Sequence, residues 1–133
     1  MPLIYTGQET GLDRALEFFE KDNPPVWEPR NRYFEFYQKL NHLKHTQPAL
    51  QAGVDGGEIV RYPTDNDNLY IFSRAVDNTC VYVFVNLGTD TAKVNYTLDT
   101  PEANETTINF FSNEAEEFPT SLQPGEYKVF VNR

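Results

Sequence analysis

The part of this sequence that follows Gly53 consists of short runs of apolar and β-branched residues separated by turn residues. Runs of this kind are typical of β-strands, and turn pairs such as Asp77-Asn78 predict tight hairpins between them. Short strands at this spacing favour an antiparallel β-sandwich, which we expect over residues 54–133. The predicted strands are Glu58–Tyr62, Leu69–Ala75, Thr79–Leu87, Ala92–Leu98, Thr106–Phe111 and Glu126–Val131.

The run Thr79–Leu87 is apolar on both of its faces. One face carries a valine or leucine at every second position, and this period-2 pattern predicts that it lies in the core. These residues are Val81, Val83, Val85 and Leu87. The opposite face carries aromatic rings that are either packed or open to a ligand, and packing is the commoner outcome. The aromatic residues that qualify as an exposed platform for a ligand ring are Trp27, Tyr62, Tyr70 and Tyr82.

Residues 1–53 have a different pattern. The apolar run Pro2–Thr6, ended by Gly7, predicts a strand that is buried on both faces, as in a parallel sheet. Apolar residues at helical spacing predict one α-helix over Asn31–Thr46, with Asn31 as its N-cap and Gln47-Pro48 as its stop. The apolar stripe of this helix consists of Tyr33, Phe36, Tyr37, Leu40 and Leu43. The predicted fold class is therefore mainly β, with an antiparallel sandwich domain preceded by one strand and one α-helix.

The charge of the chain excludes two classes of partner. The sequence has 20 acidic against 11 basic residues, a formal net charge of −9. An acidic surface repels phosphate backbones and anionic lipids, so we predict no nucleic-acid partner and no membrane partner. Cys80 is the only cysteine, which excludes an intramolecular disulfide, and we expect it to be a small buried apolar residue.

Few polar residues stand in a pattern that carries chemistry. Gln8 and Glu9 follow the predicted N-terminal strand, and side chains at the carboxyl ends of parallel strands line the active sites of barrel enzymes. A lone glutamate is not a catalytic mechanism, so a capping or orienting role is favoured for Glu9. Gln8 and Glu9 remain candidates for the rim of a substrate site. No catalytic residue, no metal ligand and no cofactor is predicted.

Three other polar groups have structural explanations that we favour over metal binding. His42 and His45 have a helical spacing that suits a metal, but they are expected on the solvated side of the helix. The segment Asp65–Asn68 is explained as well by turn formation as by calcium ligation. The acidic segment Asn113–Glu117 is expected to be a solvated loop.

Several segments of the chain resemble the C-terminal end of α-amylase-family glycoside hydrolases. Met1–Glu9 is similar to the eighth barrel strand of that family, whose pattern is Gly-x-Pro-x-x-x-x-Gly-x-Glu. Pro2, Gly7 and Glu9 occupy its later marked positions, and its first glycine would lie before Met1. The other similar segments, in the order of the family, are Phe18–Asp22 with Trp27, Phe34–Leu40 with Pro48–Leu50, Ile71–Arg74, Val83–Leu87 and Pro124–Phe130.

The resemblance implies a division of the chain at Gly53. Residues 1–53 would be the last barrel-derived strand and helix of a catalytic barrel, and residues 54–133 the C-terminal β-sandwich domain. The acid and the nucleophile of that family precede the eighth strand, so the chain alone is predicted to be inactive. The implied parent is a retaining enzyme that hydrolyses α-linked glucans such as starch or maltooligosaccharides. In it, this segment would stabilise the missing catalytic barrel and be placed to touch the α-glucan.

Two other functions stay open on the sequence alone. One is a free-standing carbohydrate-binding β-module, which requires aromatic rings outside the core. The other is a protein-interaction sandwich without a sugar partner. The compartment is undetermined, with secreted, periplasmic and cell-surface locations as the options for the parent enzyme.

Overall fold

The computed structural model describes residues 3–17, 19–23, 31–95 and 107–132 of the chain. Its contacts form two compact units, divided after Lys44. The elements are a 3-10 turn at Gln8–Thr10, helix α1 (Arg32–Thr46), 3-10 turns at Pro48–Leu50 and Gly53–Asp55, and strands β1 (Ile59–Arg61), β2 (Leu69–Val76), β3 (Thr79–Asn86), β4 (Ala92–Lys93), β5 (Thr107–Asn109), β6 (Glu114–Ala115), β7 (Ser121–Leu122) and β8 (Tyr127–Asn132).

Helix α1 begins and ends where the sequence predicts. The Asn31 Oδ1 accepts hydrogen bonds from the backbone N–H groups of Tyr33, at 2.9 Å, and Phe34, at 3.0 Å. This side chain therefore satisfies donors that have no partner within the first turn of a helix. The helix ends at Thr46, and Pro48 opens the next 3-10 turn.

The burial of side chains along α1 follows the predicted stripe from Phe36 onward, whereas Tyr33 at its start is 37% exposed. Leu43 is buried, and Leu40 is half-buried. His42 and His45 are exposed, as expected for the solvated side. No helix in the described part of the chain has the length and apolar character that crossing a membrane requires.

The structure has no strand over residues 3–6, where the pattern predicts one. Leu3 is 81% and Tyr5 is 61% exposed, whereas a strand of a closed parallel sheet would bury both. A strand needs neighbouring backbone groups as hydrogen-bond partners. The described residues of this unit contain no second strand that supplies them.

The second unit is an antiparallel β-domain, as predicted. Its large sheet has the strand order β1-β2-β3-β8-β5-β6, and its small sheet consists of β4 and β7. Strands β2 and β3 form a hairpin in which Ile71 lies opposite Phe84. Asp77 has a φ of 51° at the turn of this hairpin, a left-handed conformation that aspartate tolerates in tight turns. The mainly β fold class with one helix is confirmed.

The main hydrophobic cluster lies on the aromatic face of β3, where packing was the favoured expectation. The prediction that the valine face lies in the core holds for Val81, which is buried, whereas Val83 and Val85 are half-buried. The side chains that make up the main cluster are Tyr62, Leu69, Ile71, Cys80, Tyr82, Phe84, Ala92, Val94, Leu122 and Phe130, with Phe118 packed against them. Its rings meet in several pairs, with centroids 5.1 Å apart between Phe84 and Phe118 and 4.9 Å between Phe118 and Phe130. Leu87, at the end of the valine face, is 72% exposed.

The strand pairing and the size of the rings explain why the aromatic face of β3 packs in the main hydrophobic cluster. Tyr82 lies opposite Phe130 and Phe84 lies beside it, so that rings from adjacent strands form one layer. The small sheet contributes Ala92 and Leu122 to the same cluster and so covers this face. A buried aromatic side chain removes more apolar area from water than a valine does, so burying the rings gives the larger stabilisation.

Two short strands were not predicted, β6 within the acidic segment and β7 before the last turn. Asn113 adopts a φ of 60° and turns the chain so that Glu114–Ala115 pairs with β5. The next carboxylate, Glu116, accepts a hydrogen bond from the Asn109 Nδ2 at 2.6 Å and forms an ion pair with Lys128. The Lys128 ammonium, and after it the Asn109 amide, hold the pKa of Glu116 below its usual value.

Arg74 fixes the segment that precedes β1 onto the large sheet. Its Nε donates to the carbonyl of Gly57 at 2.7 Å, and its guanidinium nitrogens donate to the carbonyls of Leu50 at 3.4 Å and Gln51 at 2.8 Å. The backbone passes very close to β2 here, because a Cβ on Gly57 would lie 2.3 Å from the carbonyl oxygen of Ala75. The planar fork of arginine suits this task, since it presents several donors in fixed directions.

Candidate functional site

Gln8 and Glu9 lie in a tight loop whose shape depends on both side chains. The Gln8 Oε1 accepts the backbone N–H of Tyr5 at 2.8 Å, and the Glu9 Oε2 accepts that of Gly7 at 3.1 Å. Gly7 has a φ of 98°, and a Cβ there would lie 2.7 Å from the Leu12 side chain. The loop therefore requires a glycine at position 7 and is held by side chain-to-backbone hydrogen bonds, to which the Thr10 hydroxyl adds one by donating to the Gly7 carbonyl at 2.9 Å.

The geometry of this loop has a limited chemical capacity. Gln8 is exposed and Glu9 is half-buried, so each keeps part of its polar group accessible. Across the described ranges there is no group of three histidine, cysteine or carboxylate side chains that could hold a metal ion. What the loop offers is one amide and one carboxylate, each oriented by the backbone.

The segment after this loop is closed by an ion pair. The two guanidinium nitrogens of Arg14 contact the two carboxylate oxygens of Asp22 at 2.7 and 2.8 Å. The backbone N–H of Glu17 donates to the same carboxylate at 2.9 Å. The Arg14 hydrogen bonds, followed by that of the Glu17 backbone, lower the pKa of Asp22 to about 2.

This ion pair gives a prediction about pH. Because the folded-state pKa of Asp22 is lowered, the pair supports the segment fully above the ordinary aspartate pKa of about 3.9 and loses this effect as the pH falls through about 2. Arg14→Met is expected to return the pKa of Asp22 toward that ordinary value, as measured by an NMR titration of its carboxyl carbon. Lys21→Met, which removes a neighbouring charge, should leave this pKa unchanged. A midpoint for Asp22 near pH 4 in the unaltered chain would contradict the prediction.

The segment Asp65–Asn68 forms a turn between β1 and β2. The Thr64 Oγ1 donates to the carbonyl of Asn66 at 2.7 Å, and the Asn66 Oδ1 accepts the backbone N–H of Asn68 at 2.9 Å. The carbonyl of Asn66 also accepts the N–H of Leu69 at 3.0 Å. The side-chain and carbonyl oxygens of Asn66 are thus engaged in the turn itself, as the turn explanation of this segment expects.

A groove opens beside this turn, with a volume of about 320 Å³. The residues that line it are Arg61, Pro63, Thr64, Asn66 and Asp67. The Arg61 guanidinium lies 5.0 Å from the centre of the Tyr70 ring, in cation–π geometry.

The aromatic residues proposed as sugar platforms have different environments. Tyr62 is buried, and its hydroxyl forms a hydrogen bond of 2.8 Å with the Ser73 Oγ. Tyr82 is buried in the core. Tyr70 is 37% exposed on the face of the sheet opposite the core, and Trp27 lies outside the described residues. Packing therefore accounts for two of these rings.

Arg61 lines the groove beside the Asp65–Asn68 turn, and the sequence pattern did not single it out. It belongs to a three-residue strand, and its register with β2 places it opposite Phe72. That position brings its guanidinium over the neighbouring Tyr70 ring. A basic residue just before a Pro-Thr turn was the only sequence signal, and it is too common to be specific.

Comparisons with known proteins give matches among solved structures. No protein-family model matches this chain, and no curated protein matches it significantly. The maltogenic α-amylase AmyB of Thermotoga neapolitana is 17% identical, with a TM-score of 0.77 over 98% of this chain. An α-amylase of Anoxybacillus is 20% identical, with a TM-score of 0.62 over 96% of this chain. AmyP, in complex with maltose, is 18% identical, with a TM-score of 0.59 over 74% of this chain.

The chain spans only a part of these proteins, 32% of AmyB, 28% of the Anoxybacillus enzyme and 20% of AmyP. In the first two, the match extends over nearly all of this chain and so includes both of its compact units. At these identities the likeness concerns the fold. The chain thus has the fold of a segment of α-amylase-family glycoside hydrolases, as the sequence resemblance predicted.

Proposed function

We propose that this chain is the non-catalytic C-terminal part of an α-glucan hydrolase. In this proposal the β-domain stabilises the catalytic barrel, and Gln8 and Glu9 shape a loop at the rim of the substrate site. The substrate class is starch or maltooligosaccharides. AmyP, one of the proteins of similar fold, is crystallised with maltose and, as its E221Q variant, with maltotriose.

One observation supports this proposal most. The match to AmyB covers 98% of the chain at a TM-score of 0.77, so it extends across the division after Lys44. An isolated carbohydrate-binding module or interaction sandwich would be expected to match over the β-domain alone. The Gln8–Glu9 loop offers one carboxylate, whereas retaining hydrolysis needs two carboxylates about 5–5.5 Å apart. The loop therefore agrees with a supporting role.

The proposal predicts that the chain alone does not hydrolyse α-glucans. The purified chain, incubated with starch or maltooligosaccharides, is expected to release no more reducing sugar than buffer does. Glu9→Gln is the matched variant for this assay, because it removes one carboxylate and keeps the side-chain shape. Release above the buffer level that Glu9→Gln abolishes would contradict the proposal.

A second measurement tests the size of the natural polypeptide. The coding sequence upstream of Met1 is expected to continue in frame and to encode further β/α units of a barrel. An antibody raised against the β-domain should then detect a polypeptide much longer than 133 residues in the producing cells. Detection of the 133-residue chain alone would overturn the proposal.

A further inference from the structure

The groove beside the β1–β2 turn combines two opposite charges that do not pair with each other. Among the described residues, neither the Arg61 guanidinium nor the Asp67 carboxylate has an ion pair or a hydrogen bond. Both line the same groove. Two unpaired groups of opposite sign in one groove are suited to a ligand that accepts from one and donates to the other.

Two of the residues that line the groove, Arg61 and Asn66, are held by contacts outside it. The Tyr70 ring orients the Arg61 guanidinium, and Phe72 packs against Tyr70 with ring centroids 5.4 Å apart. On the other side, the hydrogen bonds of the turn hold Asn66. The Asn66 Oδ1 is used in the turn, whereas its Nδ2 has no hydrogen-bond partner among the described residues.

The groove therefore presents three kinds of polar group to one ligand. The Arg61 guanidinium and the Asn66 amide are donors, and the Asp67 carboxylate is an acceptor. One positive and one negative charge leave the groove without a net charge, and the net charge of the whole chain, −9, disfavours anions. A neutral ligand with neighbouring hydroxyl groups fits this set, because each hydroxyl both donates and accepts.

We propose that this groove binds a glucose unit of an α-glucan chain. Arg61 and Asn66 donate hydrogen bonds to ring hydroxyls, and Asp67 accepts a hydrogen bond from the neighbouring hydroxyl. Tyr70 acts as a positioning residue for Arg61. The choice of glucose as the sugar rests on the proposed function. The assignment of donors and acceptor rests on the residues that line the groove.

The dimensions of the groove set the expected strength of binding. A volume of about 320 Å³ lies at the lower end of the roughly 300–1,000 Å³ found for small-ligand sites. Arg61, Pro63 and Asp67 are exposed, so the ligand would remain largely in contact with water. We therefore expect weak binding, with a dissociation constant on the order of 1 mM, because only a few solvent-exposed hydrogen bonds would hold the ligand.

The test is an NMR titration of the isotope-labelled full chain with maltotriose. Saturable shifts are expected for the backbone amides of Arg61, Thr64, Asn66, Asp67 and Tyr70. Asp67→Ala is expected to weaken binding about tenfold or more, as the loss of a hydrogen bond to a charged group does. Asp65→Ala is the matched control, because Asp65 is exposed in the same turn but does not line the groove, and it should change the affinity less than about twofold. Arg61→Gln provides a second variant should Asp67→Ala alter the turn.

Three results would overturn the inference. One is the absence of saturable shifts at the groove, and another is an equal loss of affinity in Asp65→Ala and Asp67→Ala. The third is a comparable response of the groove to cellotriose or to free glycine, because it would assign the groove to other linkages or to zwitterions. None of these results bears on the length of the natural polypeptide, which tests the proposed function. The titration can therefore disprove sugar binding at the groove without disproving the proposed function.

Discussion

Phe84→Ala is expected to destabilise the β-domain by about 3–5 kcal/mol, the range measured for large-to-small changes at buried aromatic positions. Phe84 is fully buried, and its ring meets Phe118 at 5.1 Å and Phe130 at 5.8 Å. The variant would lose these ring contacts and leave a cavity between the two sheets. The midpoint of urea unfolding should fall at an unchanged slope, since the surface exposed on unfolding stays nearly the same.

Leu87→Ala is the control for this experiment, because Leu87 continues the valine face and is 72% exposed. We expect it to change the free energy of unfolding by less than about 0.5 kcal/mol. A large loss in Leu87→Ala together with a small loss in Phe84→Ala would show that the valine face, and not the aromatic face, carries the core.

Asn86→Ala is expected to cost about 3 kcal/mol, even though it removes few apolar contacts. Asn86 is fully buried, and its Nδ2 donates toward the carbonyls of Asp90 at 2.9 Å, Leu122 at 3.1 Å and Gln123 at 3.1 Å. Its Oδ1 accepts the backbone N–H of Gly88 at 2.9 Å. Alanine would leave these groups without partners, and each one that water cannot reach costs about 1–3 kcal/mol.

The measurement for Asn86→Ala is again urea unfolding, and the control is Asn78→Ala. Asn78 is exposed at the tip of the β2–β3 hairpin, so its replacement should cost less than about 0.5 kcal/mol. Equal stabilities of Asn86→Ala and the unaltered chain would mean that the link between β3 and the β7–β8 connection does not depend on this side chain.

The sequence predicted the larger elements of the fold because their signals are local. Asn31 and Pro48 mark the ends of α1, and Asp77-Asn78 marks the turn of the central hairpin. Which face of β3 forms the core could not be predicted, because the run is apolar on both faces. That choice is made by the rings of Phe118 and Phe130, which are distant in sequence.

The candidate groove could be predicted only in part. The turn at Asp65–Asn68 has a local signal, since asparagine and aspartate hydrogen-bond to their own backbone. The position of Arg61 depends on the pairing of β1 with β2, in which Arg61 lies opposite Phe72. A three-residue strand has too few side chains to define this register from its pattern. The prediction of a strand at Pro2–Thr6 was wrong for a related reason. Whether an apolar run forms a strand depends on the presence of pairing partners.

The contacts of Arg74 also determine where the chain can change in length. They hold Gln51 on one side of the Gly53–Asp55 turn and Gly57 on the other, so the two ends of this short excursion are anchored independently of the residues between them. Val54 is fully exposed, and a Cβ on Gly53 would meet no atom within 4 Å. Extra residues between Gly53 and Val54 would extend into solvent, at an entropic cost that rises slowly with their number. This turn is therefore the position at which related proteins can acquire insertions, and at which a reporter peptide can be grafted while the sheet keeps its registration.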